Sequence, residues 1–517
     1  MKHLIGKLLI TLLISPLIFI SCSSDDGNQP DPPVDESPTE VNSKTYNLVS
    51  VTNPDISGTA KFIELSDATV TVELKLQNTT SGGQHPAHIH VNTAAEGGGI
   101  ARTLGTVDGG TGESAINFST LDDGTSITYG ELLNFDGYIN VHLSANELST
   151  IVAQGDIGQN ELTGTSKEYF LGEKDISGIN GSAWFYERKN GEALAVINLE
   201  NTTAGGEYPG HIHNNTAVVG GGIAFSFNAV NGDTGNSKTN VTVLDDGTPF
   251  GYDDVLDFNG YINIHLSATE LSTLVAQGDI GQNELTGQTI SYDLAEKDVA
   301  GVSGTVFFAE RKNLTTLVSI QLSGTSAGGA HPAHIHENDA ATGGGIIIDL
   351  TEVNGDTGIS VTQVAALNNG TAITYAELLA IDAYINVHLS AVDLGTLVAQ
   401  GNIGSNTGGT ESKTFTITNN GEVAYVFNEE GFSNTENPNL TFKRGGTYIF
   451  NVTAPGHPFL IKSVQGIGTS DQYNDGVTNN GVDSGSVTFV VPTDAPNTLY
   501  YNCEFHSPMT GTITITN

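Results

Sequence analysis

A chain of 517 residues exceeds what a single hydrophobic core fills, about 250–300 residues, so several domains are expected. Charged residues are only 15% of the chain while Gly, Thr, Ser and Asn abound, a composition of exported, turn-rich β-structure rather than of long helices. A net charge of −40 with 18 Lys plus Arg argues against a nucleic-acid partner, because phosphate binding needs a basic face; the acidity serves solubility and attracts cations weakly.

The N-terminus carries Lys2 and Lys7 ahead of an apolar run, residues 8–20, broken by Ser15 and Pro16. The run is shorter than the roughly 20 residues of a membrane-spanning helix and reads as a signal peptide. Leu17-Ile18-Phe19-Ile20-Ser21-Cys22 resembles a bacterial lipobox, with Phe19 where Leu is usual. The resemblance implies cleavage before Cys22 and lipidation at that residue. Ser23-Ser24-Asp25-Asp26 is similar to the acidic export signal of Bacteroidetes surface lipoproteins, which implies a lipid-anchored place in the cell envelope, at the outer membrane and facing outward. The alternative is plain secretion with Cys22 at the cleavage boundary. Residues 1–22 are thus expected to be the signal segment and residues 23–43, rich in Pro, Asp, Asn, Glu and Ser, a flexible acidic linker. The other cysteine, Cys503, lies in a metal-type motif, so a Cys22–Cys503 disulfide is not expected.

From residue 44 the chain repeats. His88-Ile89-His90 recurs as His211-Ile212-His213 and His334-Ile335-His336, and Tyr138-Ile139-Asn140-Val141-His142 recurs from Tyr261 and from Tyr384, always 123 residues on. Val-Ala-Gln-Gly follows at Val152, Val275 and Val398. Constant spacing of matched motifs means duplicated domains: residues 44–164, 167–287 and 288–409, each long enough for its own core, read as three beads. Alternation such as Thr69-Val70-Thr71-Val72-Glu73-Leu74-Lys75-Leu76 predicts strands with one buried face, and Asp-Gly and Asn-Gly turns punctuate them. A short helix is expected over residues 145–153, and an antiparallel β-sandwich is the natural fold. The Gly-Gly-Gly runs at Gly97, Gly220 and Gly343 read as strand-end turns using positive φ, since no P-loop lysine accompanies them.

His-Pro-Ala-His-Ile-His, Gly-Gly-Gly-Ile, Tyr-Ile-Asn-Val-His and Gln-Gly, in this order, resemble the CHRD domain first described in chordin, over three copies. That resemblance bears on fold more than on activity. Of fourteen histidines, eleven occupy equivalent places in the repeats. Residues i and i+2 of a strand share a face, so His88 and His90 project together. If the strand bearing His142 is their neighbour, three imidazoles converge, as would His211, His213 and His265, and His334, His336 and His388. Neutral imidazoles suit zinc and copper. The His-x-His pair also resembles that of copper-zinc superoxide dismutase, whose remaining ligand pattern is not evident. The alternative is a hydrogen-bonded histidine cluster with Asn140 and Tyr138 as partners. His85 is a weaker candidate because the second copy has Tyr208 there.

After a linker-like stretch, residues 405–409, a new pattern begins. Short alternating segments over residues 411–517 predict a small Greek-key sandwich. Pro455-Gly456-His457-Pro458-Phe459 and Tyr500-Tyr501-Asn502-Cys503-Glu504-Phe505-His506-Ser507-Pro508-Met509-Thr510-Gly511 offer thiolate, imidazole and thioether donors, the set of a blue-copper site. These motifs resemble a cupredoxin of the plastocyanin and amicyanin type. The resemblance implies one type 1 copper held by His457, Cys503 and His506, with Met509 as a weak axial ligand.

The fold class expected is therefore all-β, three tandem sandwiches and a C-terminal cupredoxin. The function expected is an envelope copper protein carrying single electrons to an unnamed redox partner, an electron carrier rather than an enzyme. The alternatives are a surface metal-capture or adhesion protein whose repeats bind copper or zinc, and a dismutase-like metalloenzyme in the repeats.

Overall fold

The computed structural model describes residues 37–52, 55–406, 410–429, 431–492 and 495–516. The signal segment, Cys22 and the linker up to residue 36 lie outside the described residues. Strands dominate, with three short helices among the described residues, so the chain is all-β.

The first repeat runs β1 (Glu40–Ser50), β2 (Ser57–Leu65), β3 (Val70–Gln77), β4 (Gln84–Val91), β5 (Ile100–Asp108), β6 (Glu113–Phe118), α1 (Tyr129–Leu132), β7 (Asp136–Ser144) and β8 (Glu147–Gly158). β1 thus starts inside the stretch read as linker. Its pairing with both β2 and β8 closes the sheet into a barrel of order β1-β2-β3-β6-β5-β4-β7-β8. The period-two pattern sets the faces: Val70, Val72, Leu74 and Leu76 point into the core while Glu73 and Lys75 face solvent. Each such burial stabilises the barrel by about 1.5–3 kcal/mol.

The helix expected over residues 145–153 does not form; residues 145–146 turn and residues 147–153 belong to β8. β-branched Thr150, Ile151 and Val152 favour a strand, and pairing with β7 at Val141↔Ala153 and His142↔Ile151 fixes it. The helix that does form is α1, started by a capping box in which Thr128 and Glu131 bond each other's backbone N–H. The third repeat repeats this cap with Thr374 and Glu377.

The second and third repeats reuse the plan, each around its own core. They are nevertheless not free beads. Arg188, from the end of the second repeat's strand Asn180–Arg188, is fully buried and bonds Asp156 of β8 at 2.7 Å and the Asn160 carbonyl at 2.5 Å, while its Nε donates to Asn240 of its own repeat at 2.9 Å. The next junction repeats this: Arg311 reaches Asp279 at 2.7 Å, the Asn283 carbonyl, and Gln363 at 2.7 Å. Beside each junction a glutamate takes two lysines, Lys44 and Lys189 on Glu161, Lys167 and Lys312 on Glu284.

The last domain joins the third repeat through backbone pairing of Leu285–Glu296 with Thr410–Asn420, at Thr289↔Ser412. It is a sandwich of one sheet built on Thr410–Asn420, Thr447–Thr453 and Ser484–Val490 and another ordered Leu440–Lys443, Thr510–Thr516, Thr498–Cys503, Phe459–Lys462. Both sheets contain one parallel pair. Phe415, Phe427, Phe442, Phe450, Phe459 and Tyr501 fill the space between them.

Candidate metal centres

In the first repeat β4 and β7 are neighbours, with His88 opposite Asn140 and His90 opposite Tyr138. Ala87, Ile89, Ile139 and Val141 take the inner face, so the histidines stand on the outer one. Register shifts fall at Ile89/His90 and Val141/His142, and recur at the same places in the other two repeats. Such bulges re-aim a side chain. The result is convergence: ligand atoms of His88, His90 and His142 lie within 4.8 Å of one another, as do those of His211, His213 and His265, and of His334, His336 and His388.

The surroundings fix which nitrogen faces inward. His90 Nδ1 lies 2.9 Å from the Gly98 carbonyl and His142 Nδ1 2.5 Å from the Leu148 carbonyl. A carbonyl only accepts, so each Nδ1 carries the proton and each Nε2 presents a lone pair. Those two Nε2 atoms and His88 Nδ1 are buried without a partner; so are His213 Nε2, His265 Nε2 and His211 Nδ1 in the second repeat. In the third repeat His388 Nε2 and His334 Nδ1 are likewise without partners. The outward nitrogen of His334, Nε2, is 3.9 Å from Asp349.

The Gly-Gly-Gly runs are strand-end turns as expected, with φ of +77°, +77° and +73° at Gly97, Gly220 and Gly343. Their second glycine also folds over the histidines. Gly98 accepts from His90, and its N–H donates to the Tyr138 hydroxyl at 3.0 Å; a Cβ there would press into the Val91 carbonyl. His90 in turn stacks on Tyr138 with ring centroids 5.0 Å apart. His85 does not join the cluster: it is buried with Nδ1 3.2 Å from the His142 carbonyl. Tyr208 replaces it in the second repeat, its hydroxyl accepting from the Thr203 N–H at 2.8 Å.

Burial holds the imidazoles of His88, His142, His211, His265, His334 and His388 below their ordinary pKa. Neighbouring imidazoles push the same way, while carbonyl hydrogen bonds partly oppose the shift at His142, His265 and His388. These six imidazoles are therefore held toward the neutral form that a metal ligand needs. A base whose folded pKa is lowered takes up its proton more readily when unfolded, so its contribution to stability is full above about 6.5 and is lost as pH falls. The metal-stripped protein should show a clearly lower melting temperature at pH 5.5 than at pH 7.5, measured by calorimetry.

In the last domain His457 stands just before the strand Phe459–Lys462, and Cys503 ends the adjacent strand Thr498–Cys503, paired at Phe459↔Cys503. His506 lies in the return loop to Thr510–Thr516. His457 Nδ1 and His506 Nδ1 are 3.1 Å apart, and Cys503 Sγ is 3.9 Å and 3.5 Å from them. The point equidistant from all three lies about 2 Å from each, the length of a metal–imidazole bond. Cys503 and Met509 are both fully buried, and the Cys503 N–H donates to the Met509 carbonyl at 2.9 Å, closing the loop. The Tyr425 hydroxyl donates to the carbonyls of His457 and Pro458 at 2.8 and 2.9 Å, and Asn437 to that of Pro508 at 3.0 Å, anchoring both ligand loops. Burial raises the Tyr425 pKa, so the phenol stays a donor. The His506 ring edge reaches the surface, with Nε2 3.6 Å from Glu422 and Phe505 exposed beside it.

Sequence reasoning missed the junction arginines and the Asn–Gln pairing beside each triad. The recurrence of Glu-Arg-Lys-Asn at Glu187 and Glu310 was the available signal for the first. No described helix is long and apolar enough to cross a membrane.

Among solved structures, the chain aligns with a multi-copper oxidase from Pseudomonas thermotolerans at 11% identity, over 67% of this chain and 98% of that one, with a TM-score of 0.13. It aligns with the BSP domain of a biofilm associated protein at 12% identity, over 93% and 96%, with a TM-score of 0.11. Scores this low carry no argument. No curated protein matches. Residues 282–397, which hold the third histidine triad, match the CHRD domain family.

Proposed function

We propose that residues 411–516 hold one copper ion between His457, Cys503 and His506, with Met509 as a weak further donor, and carry single electrons. The observation that supports this most is the triangle of two Nδ1 atoms and one buried Sγ around a common point about 2 Å from each. Copper held there would supply a one-electron couple. The protein's part is to keep the donors still: the hydrogen bonds of Tyr425 and Asn437 pin both ligand loops, so little rearranges when the charge changes. The donor set leaves no position for a substrate, which makes this a carrier rather than a catalyst. The exposed edge of His506, with Phe505 and Glu422, is where a redox partner would dock. Lipidation at Cys22 would place the centre at the outer membrane.

A second reading is favoured by the orphaned imidazole nitrogens: the repeats bind copper or zinc in their own right. The matching arrangement in all three repeats makes us infer that the first two are CHRD domains like the third. Metal analysis of the full chain with visible spectroscopy tests both. One copper per chain with an intense absorption supports the carrier reading only, and four metals support both. A colourless, oxidised, copper-loaded protein removes the first.

A further inference from the structure

The motifs around each triad contain an asparagine and a glutamine that the histidines do not account for. Asn140 lies opposite His88 and two residues before His142, on the same outer face. Its Oδ1 is taken by Gln154 Nε2 at 2.8 Å, and Gln277 holds Asn263 and Gln400 holds Asn386 in the same way at 2.8 and 2.9 Å. With the oxygen occupied, the amide turns its N–H group elsewhere; in the third repeat Asn386 Nδ2 is 3.5 Å from His336 Nε2, one of the inward-facing nitrogens. That amide therefore turns its nitrogen rather than its oxygen to the triad and stands beside it as a hydrogen-bond donor.

Among the described His, Cys, Asp and Glu side chains only three donors gather in each repeat. Three protein ligands rather than four mark a centre with an open position. The His334 side chain keeps 15% of its exposure, so the triad lies next to the protein surface.

We propose that each repeat binds a divalent transition-metal cation on its three imidazoles and leaves the fourth position to an exchangeable water or small anion, which receives a hydrogen bond from Asn140, Asn263 or Asn386. This rests on the reading that the repeats bind metal, and is independent of the copper centre in the last domain. The Gln154, Gln277 and Gln400 side chains are positioning residues that turn the amide.

The test uses the full-length chain carrying His457→Ala, Cys503→Ser and His506→Ala, so that the C-terminal centre cannot contribute. Loaded with cobalt(II), it should hold three ions per chain, with visible bands that shift saturably on titration with azide. The set N140A/N263A/N386A should retain three cobalt ions and bind azide about tenfold or more weakly, the effect of losing a hydrogen bond to a charged ligand. If that set does not fold, N386A by itself should weaken binding at one third of the sites. Fewer than three cobalt ions overturns the metal sites. Three ions with no response to azide overturns the open position, and unchanged azide affinity in the Asn variants overturns their role. None of these outcomes bears on the absorption of the copper-loaded wild-type chain.

Discussion

Replacing Cys503 with Ser is expected to abolish the intense visible band, at about 600 nm, of the oxidised copper-loaded protein. The band requires charge transfer from a thiolate to the metal, and a serine hydroxyl neither ionises at neutral pH nor matches the softness of sulfur. The substitution changes side-chain volume little at a position fully buried against Phe459, Tyr501 and Met509, so the sandwich should still fold. Circular dichroism should be close to wild type while the copper content of residues 411–516 falls sharply. A variant that kept its colour would show that the sulfur is not a ligand, and the electron-carrier reading would be lost with it.

The second large effect concerns stability. Arg188→Met removes a guanidinium with no exposed surface and leaves Asp156 and the Asn160 carbonyl facing an apolar side chain. Breaking one side of a buried ion pair typically costs about 3–5 kcal/mol. The loss should appear as an earlier unfolding transition of the first two repeats and as faster proteolysis between them, with the last domain unaffected. Adding Asp156→Asn should recover much of it, because the stranded negative charge is then gone. The third repeat supports that choice of rescue: Asn402 stands where Asp156 and Asp279 stand in the others, and its Oδ1 still accepts from the Ala340 N–H at 2.8 Å, just as Asp156 accepts from Ala94. Failure of the double variant to recover would mean that the arginine acts by filling space rather than by charge.

Much of this architecture is legible in the residues. The 123-residue period gives the repeats, and alternation gives strands such as Val70–Gln77 and Asp136–Ser144 nearly to their ends. The copper donors are readable because His457, Cys503, His506 and Met509 are rare residue types at tight spacing. The histidine triads are half legible: side-chain period two pairs His88 with His90, but bringing His142 beside them needs the β4–β7 pairing and the bulges, which are long-range facts. The misplaced helix has a physical cause. Asn-Glu-Leu-Ser at residues 146–149 has helical character, yet the neighbouring strand supplies hydrogen bonds that local preference cannot outweigh, and the helix forms instead from the capping box of Thr128 and Glu131. Closure into a barrel was not readable either, because it depends on β1 meeting β8 more than a hundred residues later.

The junction arginines carry a consequence for how such a chain can grow. Leu65 occupies in the first repeat the place of Arg188 and Arg311, and Asn402 occupies in the third the place of Asp156 and Asp279. The array thus has a distinct head and tail, and only its middle copy presents both halves of the lock. A gene duplication of that middle copy would insert a new member whose two faces already match its neighbours, lengthening the array without any further substitution. A copy appended after the third would meet an uncharged amide where its arginine needs an anion, so lineages that lengthen this protein should do so from within.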